Sequence, residues 1–242
     1  MLSNEQFLEV IKQSFAAYLS AGTSRSTAKL KDLHGYIAQD IQEVFGKNYT
    51  VQSQGFGNGK EGCIEGRYYP KNVDIAVWKG ETPVAGYAVK FVMRNYSQNS
   101  NNYFENMLGE TANIRSNGVP YFQIFIIFDE VPYYSRGGEF QKYDVLTKHN
   151  LEKYYILSRD NSSLFYHTPE KTLLTVLHLK DKPLHDFDNE KEYARYYQAR
   201  INNTGFLSYS SAIQDDFENG IILNDYQRFI EKTYYITEGN LK

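Results

Sequence analysis

The chain has 242 residues, of which 41% are hydrophobic and 23% charged, with a net charge of −3 and a single cysteine. These values fit a globular domain and exclude a polycation that coats nucleic acid through bulk charge. They also exclude a disulfide framework or thiolate zinc site, and no apolar run nears the ~18–20 residues of a spanning helix.

The opening MLSNEQFLEVIKQSF has no secretory pattern, and lone Cys63 fits a reducing compartment, so the expected location is the cytoplasm. A sequence-specific enzyme is compatible with the mild negative charge, because charge can be segregated by face. Tyrosine is abundant, 22 residues against one tryptophan. Most of these tyrosines are expected half-buried in a β-rich core, and some at an interface.

Phe7, Leu8, Ile11, Phe15, Tyr18 and Leu19 recur at three and four residues, which predicts an amphipathic helix over 4–20, closed by Ala21-Gly22. Leu30, Leu33, Ile37, Ile41 and Val44 predict a second over 27–45, with Ser24 or Ser26 as its cap. The period then shortens. A β-type segment runs over 49–53, followed by the glycine-rich turn Gly55-Phe-Gly-Asn-Gly-Lys60. That turn is no phosphate loop, since it lacks the GK[ST] ending and no helix follows.

Strands are predicted over 63–68, 73–78 and 85–93, then a helix over 102–116 closed by Asn117-Gly118. Tyr121–Phe128 is apolar except for Gln123 and predicts a central strand covered on both faces. This order predicts an α/β class with a mixed sheet between helices. Beyond 130 the pattern predicts a mainly helical C-terminal region: 144–157 helical then extended, 171–179 a strand or short helix, and helices over 190–201 and 215–235. No composition shift divides the chain, so 1–242 is expected to be one domain.

Two charges interrupt otherwise apolar strands. Asp74 sits in Asn72-Val-Asp-Ile-Ala-Val-Trp78, and Lys90 in Gly86-Tyr-Ala-Val-Lys-Phe-Val-Met93. Burying either costs several kcal/mol unless it is paired or binds an ion. One reading is a salt bridge between neighbouring strands. The other is metal-assisted phosphodiester hydrolysis, which needs hard oxygen ligands, a Lewis acid and a cation near the attacking water.

On Val73-Asp74, Ala88-Val89-Lys90 and the order helix–three strands–helix–strand, residues 27–128 resemble the PD-(D/E)XK nuclease superfamily, which includes most type II restriction endonucleases. The resemblance implies a restriction-endonuclease-like αβββαβ core, with 1–26 and 129–242 as peripheral DNA-binding or dimerisation elements. It also implies Mg²⁺-dependent, sequence-specific cleavage of double-stranded DNA by a homodimer, and a cognate DNA methyltransferase that protects the host. Asp74 takes the metal-binding acid's place and Lys90 the catalytic lysine's. The second acid's place holds Ala88. Glu105, in the first turn of the helix predicted over 102–116, is the first candidate to replace it, followed by Glu110 and Glu65. Because that acid is displaced, a non-catalytic DNA-binding module on the same fold and a structure-specific repair nuclease stay open as alternatives.

Near the site, Arg94, Asn95, Gln98 and Asn99 carry groups that read base edges, or else form a capped polar loop. Arg25 and Lys29, in Ser24-Arg-Ser-Thr-Ala-Lys-Leu-Lys31, are placed for phosphate contact or for a solvated helix end. Arg115 is expected at the surface or against the helix dipole. His34 is expected as a hydrogen-bonded core or edge histidine. His185-Asp-Phe-Asp188 is expected to be a loop, and no histidine pair has metal-ligand spacing. No G-x-S-x-G stretch is present, and Cys63 has no placeable catalytic partner.

Overall fold

Helices α1 (Asn4–Ala21) and α2 (Ala28–Phe45) follow the three-and-four spacing of their apolar residues, and Phe7, Ile11, Phe15, Leu33, Ile37 and Ile41 are fully buried. The computed structural model describes residues 1–21, 28–214 and 216–241, without the side chains of 28 and 29. The expected caps Ser24 and Ser26 and the candidate Arg25 therefore lie outside the described residues, as does the side chain of Lys29. One contact sets the height of α2. A Cβ on Gly35 would stand 2.6 Å from the Gly55 carbonyl oxygen, and one on Gly55 2.0 Å from that of Lys31. The glycine pair lets α2 pack onto the turn after β1 (Thr50–Ser53).

The chain continues through the small hairpin β2 (Gly62–Ile64) and β3 (Lys71–Val73), then β4 (Ile75–Lys79) and β5 (Thr82–Val92). Helix α3 (Tyr96–Arg115) crosses to β6 (Tyr121–Phe128), which is buried along its whole length as its apolar run requires. A second hairpin, β7 (Glu130–Tyr134) and β8 (Phe140–Val145), precedes α4 (Lys148–Arg159) and β9 (Lys171–Leu179). The last elements are α5 (Glu190–Gln198), β10 (Leu207–Tyr209), β11 (Ile221–Leu223) and α6 (Tyr226–Asn240). The main sheet runs β1-β4-β5-β6-β9-β10, with β11 also on β9. β1, β4 and β5 are antiparallel, and β5, β6 and β9 are parallel.

The architecture is thus α/β, with a central mixed sheet flanked by helices. Side chains alternate along each strand. Tyr87 and Phe122 meet Phe229 of α6, while Phe91 packs at a tilt on Phe128, and Phe128 on Phe15 of α1. Phe125 faces the other way, onto Tyr154 of α4, and Ala88 and Lys90 share that second face beneath α3.

Three expectations change. Helix α3 starts at Tyr96, a turn and a half before residue 102, because the Asp144 carboxylate on β8 accepts the Ser97 N–H at 2.9 Å and caps it from afar. The strand expected over 63–68 shortens to β2. The Arg67 and Tyr68 N–H groups turn instead to the Asn113 carbonyl and side chain on α3, at 2.8 and 2.9 Å. The C-terminal region is mixed, not mainly helical, and not peripheral. β9 lies inside the main sheet beside β6, and β10 and β11 extend that sheet. No helix among the described residues is long and apolar enough to cross a membrane.

Candidate active site

Asp74 occupies the single residue between β3 and β4, one step beyond the pairing of Ile75 with Tyr87, so it stands opposite Ala88. Its Oδ2 accepts the Val89 N–H at 2.7 Å, which anchors the carboxylate to β5. Lys90 lies two residues past Ala88 on the same face. In the parallel register Gln123 lies beside Ala88 and Phe125 beside Lys90. All of these line one open cleft of about 330 Å³ between the sheet, α3 and α2.

From α3 the cleft receives Tyr103, Asn106, Met107 and Glu110, a stripe at spacings of three and four. From α2 it receives Leu30 and His34, and from the turns before β2 it receives Gln54 and Glu61. Lys90 Nζ lies 4.5 Å from the Tyr103 ring centroid. Glu110 Oε1 takes a 2.6 Å ion pair from Lys71.

The electrostatics are mutual. Desolvation holds the Lys90 amine below its ordinary pKa, while Asp74 and Glu110 pull it back up. Burial, then the charge of Asp74, pushes the Glu61 carboxyl above its ordinary value. At Lys71 burial lowers the amine, but the hydrogen bond and charge of Glu110 outweigh it, so the net shift is upward.

His34 is 5% exposed, and neither ring nitrogen has a hydrogen-bond partner among the described residues. Its Nδ1 lies 3.9 Å from Asp74 Oδ1, beyond hydrogen-bond range. It is therefore a buried histidine, as expected, but one with no hydrogen bond among the described residues. Burial keeps the ring neutral by lowering its pKa, against the pull of Asp74.

Asp74, Lys90 and Glu110 thus come together, and Glu105 and Glu65 do not join them. With α3 starting at Tyr96, Glu105 is mid-helix and off the 103–106–107–110 stripe, exposed, with its charge acting on Lys153 of α4. Glu65 is exposed beyond the end of β2. Because Gly62 pairs with Val73, the residue placed opposite Asp74 is Glu61. His34, Gln54, Glu61, Tyr103 and Gln123 complete the cleft without having been singled out for it, and only the period of α3 and the β2–β3 register would have found Tyr103 and Glu61.

The candidate base readers divide. Arg94 forms a 2.5 Å ion pair with Glu190 of α5. Asn95, left-handed at φ 51°, donates to the Tyr134 carbonyl and accepts the Tyr134 N–H, so its amide clamps α3 to β7. Asn99 donates to the Asn95 carbonyl at 3.2 Å. Gln98 is exposed, and with Arg94 and Asn95 it lines two further hollows that continue from Lys90 and Tyr103 to Arg136 on the β7–β8 turn. Arg115, expected at the surface, is buried in a network with Glu170 and the carbonyls of Ser162, Phe165 and Thr168.

Comparisons with protein-family models, with curated proteins and with solved structures returned no match.

Proposed function

We propose that the chain is a Mg²⁺-dependent endonuclease acting on double-stranded DNA, of the type II restriction kind, with its reaction centred on Asp74 and Lys90. The observation that carries this reading is the sharing of one open cleft by a strand-anchored aspartate, a partly desolvated lysine two residues past its facing position, and a glutamate from α3. A salt bridge holding two strands needs no such opening.

The donor set suits a hard cation. Asp74 offers Oδ1 while Oδ2 is held by the backbone, and Glu110 and Gln123 add oxygens around the space left by Ala88. Among the described residues no three His, Cys, Asp or Glu side chains form a ready cage. Mg²⁺ commonly takes one or two carboxylates and fills its octahedron with water and phosphate oxygens, so Asp74 and Glu110 suffice to hold it. When bound, the ion supplies charge neutralisation at the phosphate and a water of lowered pKa.

Lys90 orients the attacking water and donates to the phosphate oxygens, with Tyr103 bracing its ammonium from the side. His34 is placed to hydrogen-bond an oxygen that reaches between it and Asp74. The hollows running past Gln98 to Arg136 offer the duplex a path, with Gln98 and Arg136 presenting base- or phosphate-binding groups. A homodimer on a two-fold site, and a partner methyltransferase, belong to the same reading.

A second reading, a DNA-binding module without catalysis, draws on the Lys71–Glu110 ion pair, which occupies the displaced acid. Digestion of a plasmid in Mg²⁺ and in chelator separates the two. Discrete fragments that require Mg²⁺ and vanish in Asp74→Ala support the nuclease; shifted but uncut plasmid supports the module.

A further inference from the structure

Beyond β9, on the sheet face opposite Lys90, the molecule holds a second ionic cleft of about 300 Å³ that shares no lining residue with the first. Lys171 opens β9 in register with Phe122, and so lies on the face that α6 covers through Phe229. Arg228 and Lys232 stand four residues apart on α6, on one side of that helix, and both are exposed. The loop ahead of β11 closes the cleft with Glu218 and Asn219, and the Asn219 carbonyl accepts from the Lys171 amine.

Glu231 of α6 lies outside the cleft lining, and the two acids at the cleft's edge are engaged elsewhere. Glu218 pairs with Arg159 at 3.3 Å, and Glu170 with Arg115 at 2.7 Å. Among the described residues no carboxylate lies within ion-pair range of Arg228 or Lys232. Burial lowers the Lys171 amine pKa, Glu170 opposes this, and Lys232 and Arg228 add to the lowering. Three cations thus converge on one hollow and repel each other there, an arrangement that an anion relieves.

We infer that this cleft is an anion site for a phosphate group, gripped by Lys171, Arg228 and Lys232, with the Arg228 guanidinium supplying a paired donor face. The site stands independently of the nuclease reading, since it uses none of the residues around Asp74. The phosphate has two sources, the backbone of a bound duplex or a free phosphate compound.

Titrations of inorganic pyrophosphate and, separately, of a 20-base-pair duplex at low salt test it on the wild type and on the double variant Arg228→Gln/Lys232→Gln. Both positions are exposed, and thermal melting checks that the variant is folded. The expected result is a loss of at least tenfold in affinity for one probe. A loss for the duplex, with its salt dependence reduced by about two counterions, identifies the nucleic-acid backbone. A loss for pyrophosphate alone identifies a free ligand. Glu231→Gln, on the same helix but outside the cleft lining, leaves both unchanged. The inference is overturned if neither probe binds the wild type, or if the double variant stays within twofold of it for both.

Discussion

Helix α3 meets two ionic groups and treats them in opposite ways. At its C-terminal end Arg115 is 6% exposed and saturated, with Glu170 at 2.7 Å and three backbone carbonyls filling the guanidinium. Little more than a turn earlier, Glu110 borders a cleft in which Lys90 rests on an aromatic ring and His34 has both nitrogens unsatisfied among the described residues. Each orphaned buried polar group costs about 1–3 kcal/mol. A closed network accounts for itself by the fold it holds together, whereas an open one beside a cleft retains a cost that a bound polar group can offset. The contrast separates structural charge from candidate functional charge more sharply than burial alone.

If that contrast is sound, substitutions at the two ends must differ in kind. Arg115→Ala strands Glu170 and three carbonyls, and should lower unfolding stability by about 3–5 kcal/mol, as for any broken buried ion pair. Denaturant titration reads this, and a loss below 1 kcal/mol would mean the network is looser than its geometry. Next in size, Glu110→Gln should reduce plasmid cleavage by at least about 10–100-fold, the loss typical of changing even an outer-shell partner of a metal ligand, while Glu105→Gln stays within twofold. The reverse ranking would restore Glu105 to the site.

His34→Leu should move stability the other way, raising the melting temperature by about 2–4 °C while weakening cleavage, since an unsatisfied polar ring is replaced by an apolar group. A fall in melting temperature would show that the ring is satisfied after all. The smallest effect is at Glu61. Its folded-state pKa is raised, so the folded protein holds the proton more tightly and stability declines as pH rises from the unfolded value of about 4.5 through the folded one. In chelator, Glu61→Gln should therefore raise the melting temperature at pH 7 by about 1–3 °C and leave it unchanged at pH 4. Equal effects at both pH values would remove the charge explanation.

The α/β class and the two charges set among apolar residues, Lys90 within β5 and Asp74 at the break between β3 and β4, were legible because periodicity and burial cost are local properties of the chain. What escaped was set at a distance. The start of α3 depends on an Asp144 cap 47 residues away, and that start fixes which glutamate faces the cleft. The choice of Glu61 over Glu65 depends on the β2–β3 register, which nothing in the hairpin's composition announces. The three-residue strands β10 and β11 exist only because β9 offers them an edge, so residues 207–223 carry little strand pattern of their own.

The most direct test of the central claim is the behaviour of Lys90→Ala on duplex DNA, with binding followed in Ca²⁺ and strand cleavage in Mg²⁺. Binding within about threefold of wild type together with a loss of cleavage of 10³-fold or more is the predicted result, because the ammonium acts on charge that develops only during reaction. Cleavage at the wild-type rate by that variant would contradict it.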